Sequence, residues 1–481
     1  MQAIGHRQGR GIRGARAVRL ALAALGLLAA ACRTTTPPVA AVGSPTSATV
    51  VDTLTHPAWS RSAVIYEVNV RQFTPGGTLA GVQAHLPRLK ELGVDVIWLM
   101  PVQPIGRKNR KGPLGSYYSI ADYTAINPEL GTMADFDALV AAAHREGIKV
   151  LLDWVPNHTA FDHPWITAHK AYYVTRPDGT VINARDNEGH DTDWTDVAEL
   201  NYDNPELRTA MIDAMRWWLD HGHVDGFRND VAGGVPLDFW LQARAALQKT
   251  RPDLFMLAEA EDPRLHAAFD MTYGWELHHL MNEVAQGKKP ARAFDAYFAR
   301  QDSLFGRGAY RMYFTSNHDE NSWNGSEFER MGANALPMYV LAATARGSMP
   351  LLYTGQEVSL KKRLRFFEKD TVDWSGPSLA PFYHAVFDLK HREAALANGA
   401  FGGTQTTLRT NGGDRVYAFE RVRGENVVVV ALNFGDAPVS AAYQALGGAG
   451  SFTDWFSRAT VSLTPKGTID IPAHGYRVLV R

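Results

Sequence analysis

From about residue 63 to residue 396, two spacings of apolar residues alternate along the chain. Short runs rich in β-branched and aromatic residues are followed by longer stretches, such as 79–92 and 134–146, in which apolar residues recur at helical spacing. This alternation is typical of parallel strands joined by crossover helices. The predicted strands lie at residues 64–73, 94–102, 148–154, 224–231, 255–260, 269–273, 311–316 and 349–354.

Eight strand and helix units in one stretch predict an α/β fold, a closed (β/α)8 TIM barrel over residues 59–396. In such a barrel the catalytic groups gather at the C-terminal ends of the strands. An open, doubly wound sheet is the alternative that the same pattern allows. The strand ends are therefore where the chemistry is expected.

Two segments depart from the alternating pattern. Residues 159–204, between the third and fourth strands, are too many for a crossover and include the turn sequence Pro177-Asp178-Gly179, so they predict a small insert over the active face. After residue 396 the helical spacing stops, and strand-like runs appear at 415–420, 425–433 and 476–481. These runs predict a C-terminal antiparallel β-sandwich domain over residues 397–481.

The first 58 residues have the pattern of an exported protein. Residues 1–19 contain five arginines and no acid, and residues 20–31 are uncharged, which predicts a signal peptide over 1–31. The apolar run is shorter than the roughly 20 residues of a membrane-spanning helix. The sequence Leu28-Ala29-Ala30-Ala31-Cys32 resembles a bacterial lipoprotein processing site. We therefore expect lipidation at Cys32 and a flexible linker to residue 58. The protein would then lie in the cell envelope, periplasmic or at the cell surface, and contact the membrane through the lipid anchor only. Ordinary cleavage near Ala31, with secretion, is the alternative.

Overall composition narrows the class of partner. The 49 Lys and Arg residues balance 50 Asp and Glu residues, so no basic surface predicts nucleic acid as a partner, and a neutral ligand fits better. The 12 Trp, 17 Tyr and 21 Phe residues are able either to stack on sugar rings or to fill the core. Because Cys32 is the single cysteine, the folded part has no disulfide framework and no cysteine nucleophile.

Acidic residues cluster where the predicted strands end. Side chains alternate along a strand, so Arg228 and Asp230 share a face, and the guanidinium favours an ionised carboxylate. Cleavage of a glycosidic bond needs one carboxylate that attacks and one carboxylic acid that protonates the leaving oxygen, and Asp230 and Glu259 supply both. The segments concerned are Asp153-Trp154-Val155-Pro156-Asn157-His158, Gly226-Phe227-Arg228-Asn229-Asp230, Leu257-Ala258-Glu259 and Asn317-His318-Asp319.

In this order, the four segments resemble the four signature regions of the α-amylase family of glycoside hydrolases. Further matches to the family lie at residues 100–106, 118, 122–123, 127–128 and 353–357, so the resemblance covers the whole barrel. It implies a retaining enzyme without an organic cofactor. The implied roles are nucleophile for Asp230, acid/base for Glu259, transition-state support for Asp319, sugar hydrogen bonds for His158 and His318, positioning for Arg228, the underlying hydrogen-bond shell for Asp153, and ring stacking for Tyr118.

Three details qualify this resemblance. Period-2 alternation places Glu261 on the same face as Glu259, and only the resemblance selects Glu259. Gly233-Gly234 stand where the family often has Lys-His, which puts acceptor binding in doubt. The family's structural calcium would take Asn157, Glu199 and the carbonyl of Gly234; oxygen ligands suit Ca²⁺, and both side chains could equally form local hydrogen bonds.

The sequence thus favours an enzyme that hydrolyses α-glucosidic bonds, mainly α-1,4, in starch, glycogen or maltooligosaccharides. A transglycosylase on the same substrates uses the same intermediate and is the nearest alternative. The alternative from another class is a catalytically inactive, amylase-like carbohydrate-binding lipoprotein.

Overall fold

The computed structural model describes residues 54–481. The predicted signal peptide and Cys32 lie outside these residues. Within 54–481, none of the helices is long and apolar enough to cross a bilayer.

Eight parallel strands close into a barrel, as the sequence predicts. The first strand pairs with both the second and the eighth, with Tyr66 opposite Ile97 on one side and Leu352 on the other, so no edge remains open. The alternative of an open sheet is wrong. The strands are β1 (Ile65–Val68), β2 (Val96–Leu99), β3 (Lys149–Trp154), β4 (Gly226–Asn229), β5 (Phe255–Ala258), β6 (Met271–Tyr273), β7 (Tyr310–Tyr313) and β8 (Ser348–Tyr353).

Alternate strand residues point to two different cores. One set, including Trp98, Leu257 and Leu351, fills the barrel interior, and the other packs beneath the helices. At the start of β4 a Cβ on Gly226 would lie 1.9 Å from Phe255 O, so glycine lets β4 pair closely with β5. The interior is therefore packed, and the polar groups collect at its C-terminal end.

Most predicted strands are longer than the observed ones because the apolar pattern runs on into the following loops. The prediction of a strand over 64–73 is wrong beyond Val68, where Val70–Phe73 forms a helical turn that is also fully buried. The predicted helix over 79–92 is two helices, Leu79–Gln83 and Leu86–Leu92, and Pro87 lies in the first turn of the second.

The remaining barrel helices follow the strands in the expected order. Thr132 caps the helix that starts at Met133 through a reciprocal capping box with Asp135. Their bounds are Met133–Arg145, Pro205–Asp220, Leu237–Thr250, Trp275–Ala285, Ala293–Leu304, Glu327–Met331, Ala335–Thr344 and Ala380–Arg392.

The insert and the C-terminal region are small additions to the barrel. The insert is built on an antiparallel pair, His158–Ala160 with Val197–Glu199, and a short helix, Trp165–Ala168. The C-terminal region forms a six-stranded and a three-stranded antiparallel sheet around an apolar core. Its strands are Thr404–Thr407, Arg409–Thr410, Val416–Arg423, Asn426–Asn433, Val439–Gln444, Gly450–Asp454, Thr460–Leu463, Lys466–Ile471 and Gly475–Val480.

Candidate active site

A cavity of about 720 Å³ opens at the C-terminal ends of the barrel strands. Strands β4 and β5 end one residue before Asp230 and Glu259, so both carboxyl groups emerge from the barrel at its mouth. Of the residues that the sequence predicts for the site, six line the cavity: Tyr118, His158, Asp230, Glu259, His318 and Asp319. The fold thus brings the predicted residues together from five separate segments.

Arg228 is the fully buried centre of one half of the floor. Its Nη1 donates to Asp230 Oδ1 at 2.8 Å and to Asp153 Oδ1 at 3.0 Å, and its Nη2 lies 2.9 Å from Glu259 Oε1. Its Nε donates to the hydroxyl of Tyr273 at 3.1 Å. Because Asp230 and Glu259 contact neighbouring nitrogens of one guanidinium, their carboxyl groups lie side by side.

The two carboxyl groups have different proton affinities. Burial raises the pKa of Asp230 to about 6, against the opposing effect of Arg228. Burial raises the pKa of Glu259 to about 8; Arg228 lowers this pKa, and the neighbouring charges of Asp230 and Asp319 raise it further. Between these two values Asp230 is ionised while Glu259 keeps its proton. In the same cavity, this difference suits one group to act as a nucleophile and the other as an acid.

His318 is the centre of the other half of the floor. Its Nδ1 bonds Glu67 Oε1, and its Nε2 lies 3.2 Å from Asp319 Oδ2 and 2.8 Å from the hydroxyl of Tyr118. Burial opposes a charged imidazole, but the carboxylates of Asp319 and Glu67 hold the pKa of His318 well above its usual range. Burial likewise works against ionisation of Asp319, yet the His318 cation lowers the pKa of this carboxyl group. His318 and Asp319 thus form an ion pair that faces the cavity.

Asp153 lies beneath the cavity, as the resemblance implies. It accepts hydrogen bonds from Trp98 Nε1 at 3.0 Å and from the Tyr118 hydroxyl at 3.1 Å, besides the one from Arg228. Burial raises the pKa of Asp153 to about 6. Through Tyr118, Asp153 links the two halves of the floor.

His158 and Tyr118 present rings to the cavity. His158 Nε2 lies 3.9 Å from Asp230 Oδ2, and burial lowers the pKa of His158 to about 4, so a neutral imidazole faces the nucleophile candidate. The ring of Tyr118 stacks on that of His318, with centroids 5.3 Å apart. Both rings can therefore contact a sugar that enters the cavity.

The expectation that Glu261 shares a face with Glu259 is wrong. Strand β5 ends at Ala258, so side chains no longer alternate over these two positions. Glu261 pairs with Arg311 and accepts from the main-chain nitrogen of Glu276, and it does not line the cavity. Glu259 instead accepts from Val231 N at 2.9 Å. Geometry alone now selects Glu259.

The two glycines that follow the nucleophile segment contact the insert. Gly233 N donates to Asn187 Oδ1 at 2.8 Å, and a Cβ at Gly233 would lie 2.8 Å from the same oxygen. Asn187 itself lines the cavity. The insert therefore supplies a polar side chain beside the place where the family often has Lys-His.

The residues predicted for calcium lie close to each other around Arg185. Asn157 Nδ2 donates to Arg185 O at 2.9 Å, and Glu199 Oε2 accepts from Arg185 N at 2.7 Å. Asn157 Oδ1 lies 2.8 Å from the position of a Cβ on Gly234. Within residues 54–481, one oxygen of each side chain is left without a hydrogen-bond donor, beside the glycine whose carbonyl is the third predicted ligand. These oxygens fit a Ca²⁺ site.

A second group of metal-ligand type was not predicted. Asp186, Glu188 and His190 lie together in the exposed loop of the insert. Two main-chain nitrogens already donate to Asp186 Oδ1, which makes this group an ordinary loop-stabilising arrangement.

Sequence reasoning missed Glu67 and the aromatic wall of the cavity. Glu67 is the only acid in the four buried residues of β1, and a lone carboxylate in an apolar strand is the signal that would have found it. The wall residues lie in loops, in a single π-helical turn or at the first residue of a helix, where no periodicity marks them. They are Trp194, Trp275, Trp323, Phe366 and Phe367, with the polar residues Lys111, Ser116, Asp186, Asn187, Asp193 and Asp196 between them.

Comparison with known proteins relates this chain to a family of enzymes. Residues 47–376 match the model of the α-amylase catalytic domain. The chain is 32% identical over 402 residues to the α-amylase MalA of Haloarcula japonica, a match that covers 80% of this chain and 57% of that protein, so it spans little more than half of the relative's length.

Two solved structures are similar over nearly all of their length. The maltogenic α-amylase AmyB of Thermotoga neapolitana superposes with a TM-score of 0.79 at 28% identity, covering 87% of this chain and 98% of that one. An α-amylase of Lactobacillus plantarum superposes with a TM-score of 0.78 at 30% identity, covering 88% and 99%.

Proposed function

The chain belongs to the α-amylase family, and from this we propose that it is a retaining enzyme that hydrolyses α-glucosidic bonds, mainly α-1,4, in starch, glycogen or maltooligosaccharides. The observation that carries the proposal is the convergence of Asp230, Glu259 and Asp319 on one cavity, with Arg228 between the first two. The side-by-side carboxyl groups suit the separation of about 5 Å that retaining enzymes use. Relatives from Haloarcula japonica and Lactobacillus plantarum are named α-amylases, which supports α-glucan as the substrate class.

In the first step Asp230 attacks the anomeric carbon while Glu259 gives its proton to the glycosidic oxygen. A bond forms between that carbon and a carboxylate oxygen of Asp230, and the bond to the leaving sugar breaks. The leaving sugar departs with the proton of Glu259 as a new hydroxyl group. The pKa difference described above prepares both groups for this step.

In the second step a water molecule loses a proton to Glu259 and attacks the same carbon. The bond to Asp230 breaks, so Asp230 leaves as a carboxylate and Glu259 is protonated again. Two inversions at one carbon retain the α configuration. Arg228 keeps the departing carboxylate of Asp230 oriented and compensates its charge.

The other half of the floor holds the sugar. Positive charge develops on the attacked ring in an oxocarbenium-like transition state, and the carboxylate of Asp319 stabilises it and accepts from ring hydroxyl groups. His318 holds Asp319 ionised, and His158 and Tyr118 contact the same ring. These roles predict that substrate binding and chemistry depend on different halves of the floor.

The decisive experiment follows the product anomer. Maltoheptaose is digested and the new reducing end is observed by NMR in the first minutes, before mutarotation. We expect the α anomer. A β product would mean single displacement, and the roles of Asp230 and Glu259 would then be wrong.

The same digest separates hydrolysis from transfer. Transfer to a sugar hydroxyl instead of water uses the same covalent intermediate, and it lengthens some oligosaccharides without a matching rise in reducing ends. Hydrolysis raises reducing ends with each bond cleaved. An inactive carbohydrate-binding protein would release none, and the intact set of three acids argues against it.

We propose further that the chain is exported and anchored through lipidated Cys32. The arginine-rich start, the uncharged run and Ala-Ala-Ala-Cys support this proposal. In a bacterial host that processes lipoproteins, we expect the wild type in the membrane fraction and Cys32→Ala in the soluble fraction. Equal fractionation of the two would contradict the anchor.

A further inference from the structure

Trp323 is an exposed indole at the mouth of the cavity. Among the described residues, it and Leu241 are the two large apolar side chains classed as exposed, at 51% and 44% of their surface. Leu241 lies on the outer helix Leu237–Thr250 and does not line this cavity, which is ordinary for a surface residue. Trp323 differs because it lines the cavity and has aromatic neighbours.

Trp323, Phe366 and Phe367 form a continuous aromatic surface, called here the aromatic ledge. The ring of Trp323 lies 5.2 Å from that of Phe366 and 5.8 Å from that of Phe367. Phe366 in turn stacks nearly parallel to Tyr118, with centroids 6.3 Å apart and an angle of 17°. Aromatic faces therefore run from the floor of the cavity to its rim.

The ledge is held in place by hydrogen bonds between its two segments. Trp323 lies in the π-helical turn Glu320–Asn324, which begins directly after Asp319. The buried side chain of Asn321 donates to Lys362 O and accepts from Leu364 N, which fastens this turn to the loop that carries Phe366. The exposure of the indole is therefore built into the turn, and such π-turns are frequent at functional sites.

The position of the ledge decides which part of a substrate it meets. Trp323 follows β7 and the two phenylalanines follow β8, whereas Glu259 follows β5. The leaving sugar departs on the side of Glu259, which protonates it. The ledge thus lies on the side of the sugar chain that remains bound to the enzyme.

We propose that the aromatic ledge is a binding subsite for a glucose unit of an α-glucan, one or two units beyond the attacked ring on its non-reducing side. This inference rests on the proposed function. The flat apolar face of the indole packs against the C–H face of a glucose ring, and burial of both surfaces favours longer substrates. The ledge would then set the chain-length preference of the enzyme.

Nitrophenyl glycosides test the position directly, because the leaving group stays constant while the sugar chain grows on the side of the ledge. The measurement is kcat/KM for 4-nitrophenyl α-glucoside, α-maltoside and α-maltotrioside. For Trp323→Ala we expect a loss that grows along the series, with the ratio of maltotrioside to glucoside falling about tenfold. A loss of the same size on all three substrates would overturn the proposal.

Two further variants separate stacking from other effects. Trp323→Phe keeps a flat face but loses the indole N–H, which contributes to the low pKa of Asp319. It should retain most of the wild-type ratio. Leu241→Ala removes the matched exposed side chain far from the cavity, and its ratio should equal that of the wild type. A Trp323→Phe ratio as low as that of Trp323→Ala would contradict stacking.

Binding without turnover distinguishes failure of the ledge from failure of the proposed function. Maltoheptaose is titrated calorimetrically into Asp230→Asn and into the Asp230→Asn, Trp323→Ala double variant. We expect the dissociation constant to rise about five- to tenfold in the double variant. Unchanged affinity would overturn the ledge. An active Asp230→Asn variant would overturn the mechanism instead, and the nitrophenyl series, which does not use this variant, would still test the ledge.

Discussion

The two halves of the cavity floor are organised by cations of different kinds. In one half the guanidinium of Arg228 contacts three carboxyl groups, and in the other the imidazole of His318 lies between Glu67 and Asp319. A guanidinium keeps its charge at every pH at which the protein is folded, whereas an imidazole carries charge only when its surroundings favour it. The Arg228 half therefore has a fixed cation and tunes its acids by burial. The His318 half depends on its acids for its cation.

The largest effect is expected in the Arg228 half, from Asp230→Asn. An amide cannot form the covalent intermediate, so kcat should fall by at least about a thousandfold. The Arg228 cation remains, and the amide oxygen can still accept its hydrogen bond, so the fold should survive. The measurement is reducing-end release from maltoheptaose, together with the thermal unfolding midpoint.

Activity of Asp230→Asn within tenfold of the wild type would contradict the assignment. Glu261→Gln is the matched control, because it also neutralises a largely buried acid beside an arginine but lies outside the cavity. It should retain near wild-type kcat.

A smaller effect is expected in the His318 half, from Glu67→Gln. The amide oxygen can still accept from His318 Nδ1, so the ring stays oriented, but one of the two charges that raise the pKa of His318 is lost. We expect kcat to fall roughly ten- to hundredfold. Because the pKa of His318 falls, we expect its cation to be lost below the pH at which Glu259 loses its proton in the wild type, so the alkaline limb of this variant should lie at lower pH.

Glu67→Ala separates charge from orientation in this pair. It removes the hydrogen bond as well as the charge, so its kcat should be lower than that of Glu67→Gln. An unchanged alkaline limb in Glu67→Gln, with lower stability alone, would mean that Glu67 is only a structural residue.

The two halves also differ in how far the sequence predicted them. Arg228, Asp230 and Glu259 each stand at a strand end within a recognisable segment, so pattern and resemblance together found them. Glu67 was missed because β1 is a short, wholly buried strand in which an inward-facing acid looks like an exception to the apolar pattern. The wall aromatics, Trp323 among them, depend on the conformation of loops and short turns, which have no period in the sequence.

The barrel was predictable for a related reason. Its eight strands repeat one local pattern, and closure follows from that repetition. The exact ends of the strands could not be predicted, because apolar residues such as Val70 continue the pattern after the backbone has left the sheet. Glu261 shows the consequence. Strand β5 ends two residues earlier than predicted, and Glu261 therefore does not lie on the active face.

A moderate effect is expected from pH alone, through the Arg228 half. Asp230 must be ionised, so activity should rise as the pH increases through about 6; Glu259 must be protonated, so activity should fall as the pH increases through about 8. The measurement is kcat/KM for maltoheptaose between pH 4 and 10, values chosen to bracket both limbs by about two units. In Glu259→Gln the remaining activity should lose the alkaline limb. An alkaline limb that persists in that variant would assign it to His318 instead.

The smallest effect is expected from removal of calcium, which we propose to bind beside the Arg228 half. Asn157 and Glu199 both bond the main chain of Arg185, and in the part of the chain that the structure describes each keeps one oxygen free of donors. The bond from Asn157 already joins the insert to the barrel, so the ion would add to a preformed link. We expect a chelator to lower the unfolding midpoint by about 1 to 2 °C, as for a ligand that contributes about 1 kcal/mol to a domain of this size. Asn157→Ala should remove this sensitivity, because it deletes one ligand while Glu199 keeps its bond to Arg185.

The His318 half lies on other strands and shares no ligand with the site, so the pH at which Glu67→Gln loses activity should be the same with and without chelator. No metal in the purified protein and no shift with chelator would remove calcium from the site and leave hydrogen bonds, those of Arg185 among them, to join the insert to the barrel.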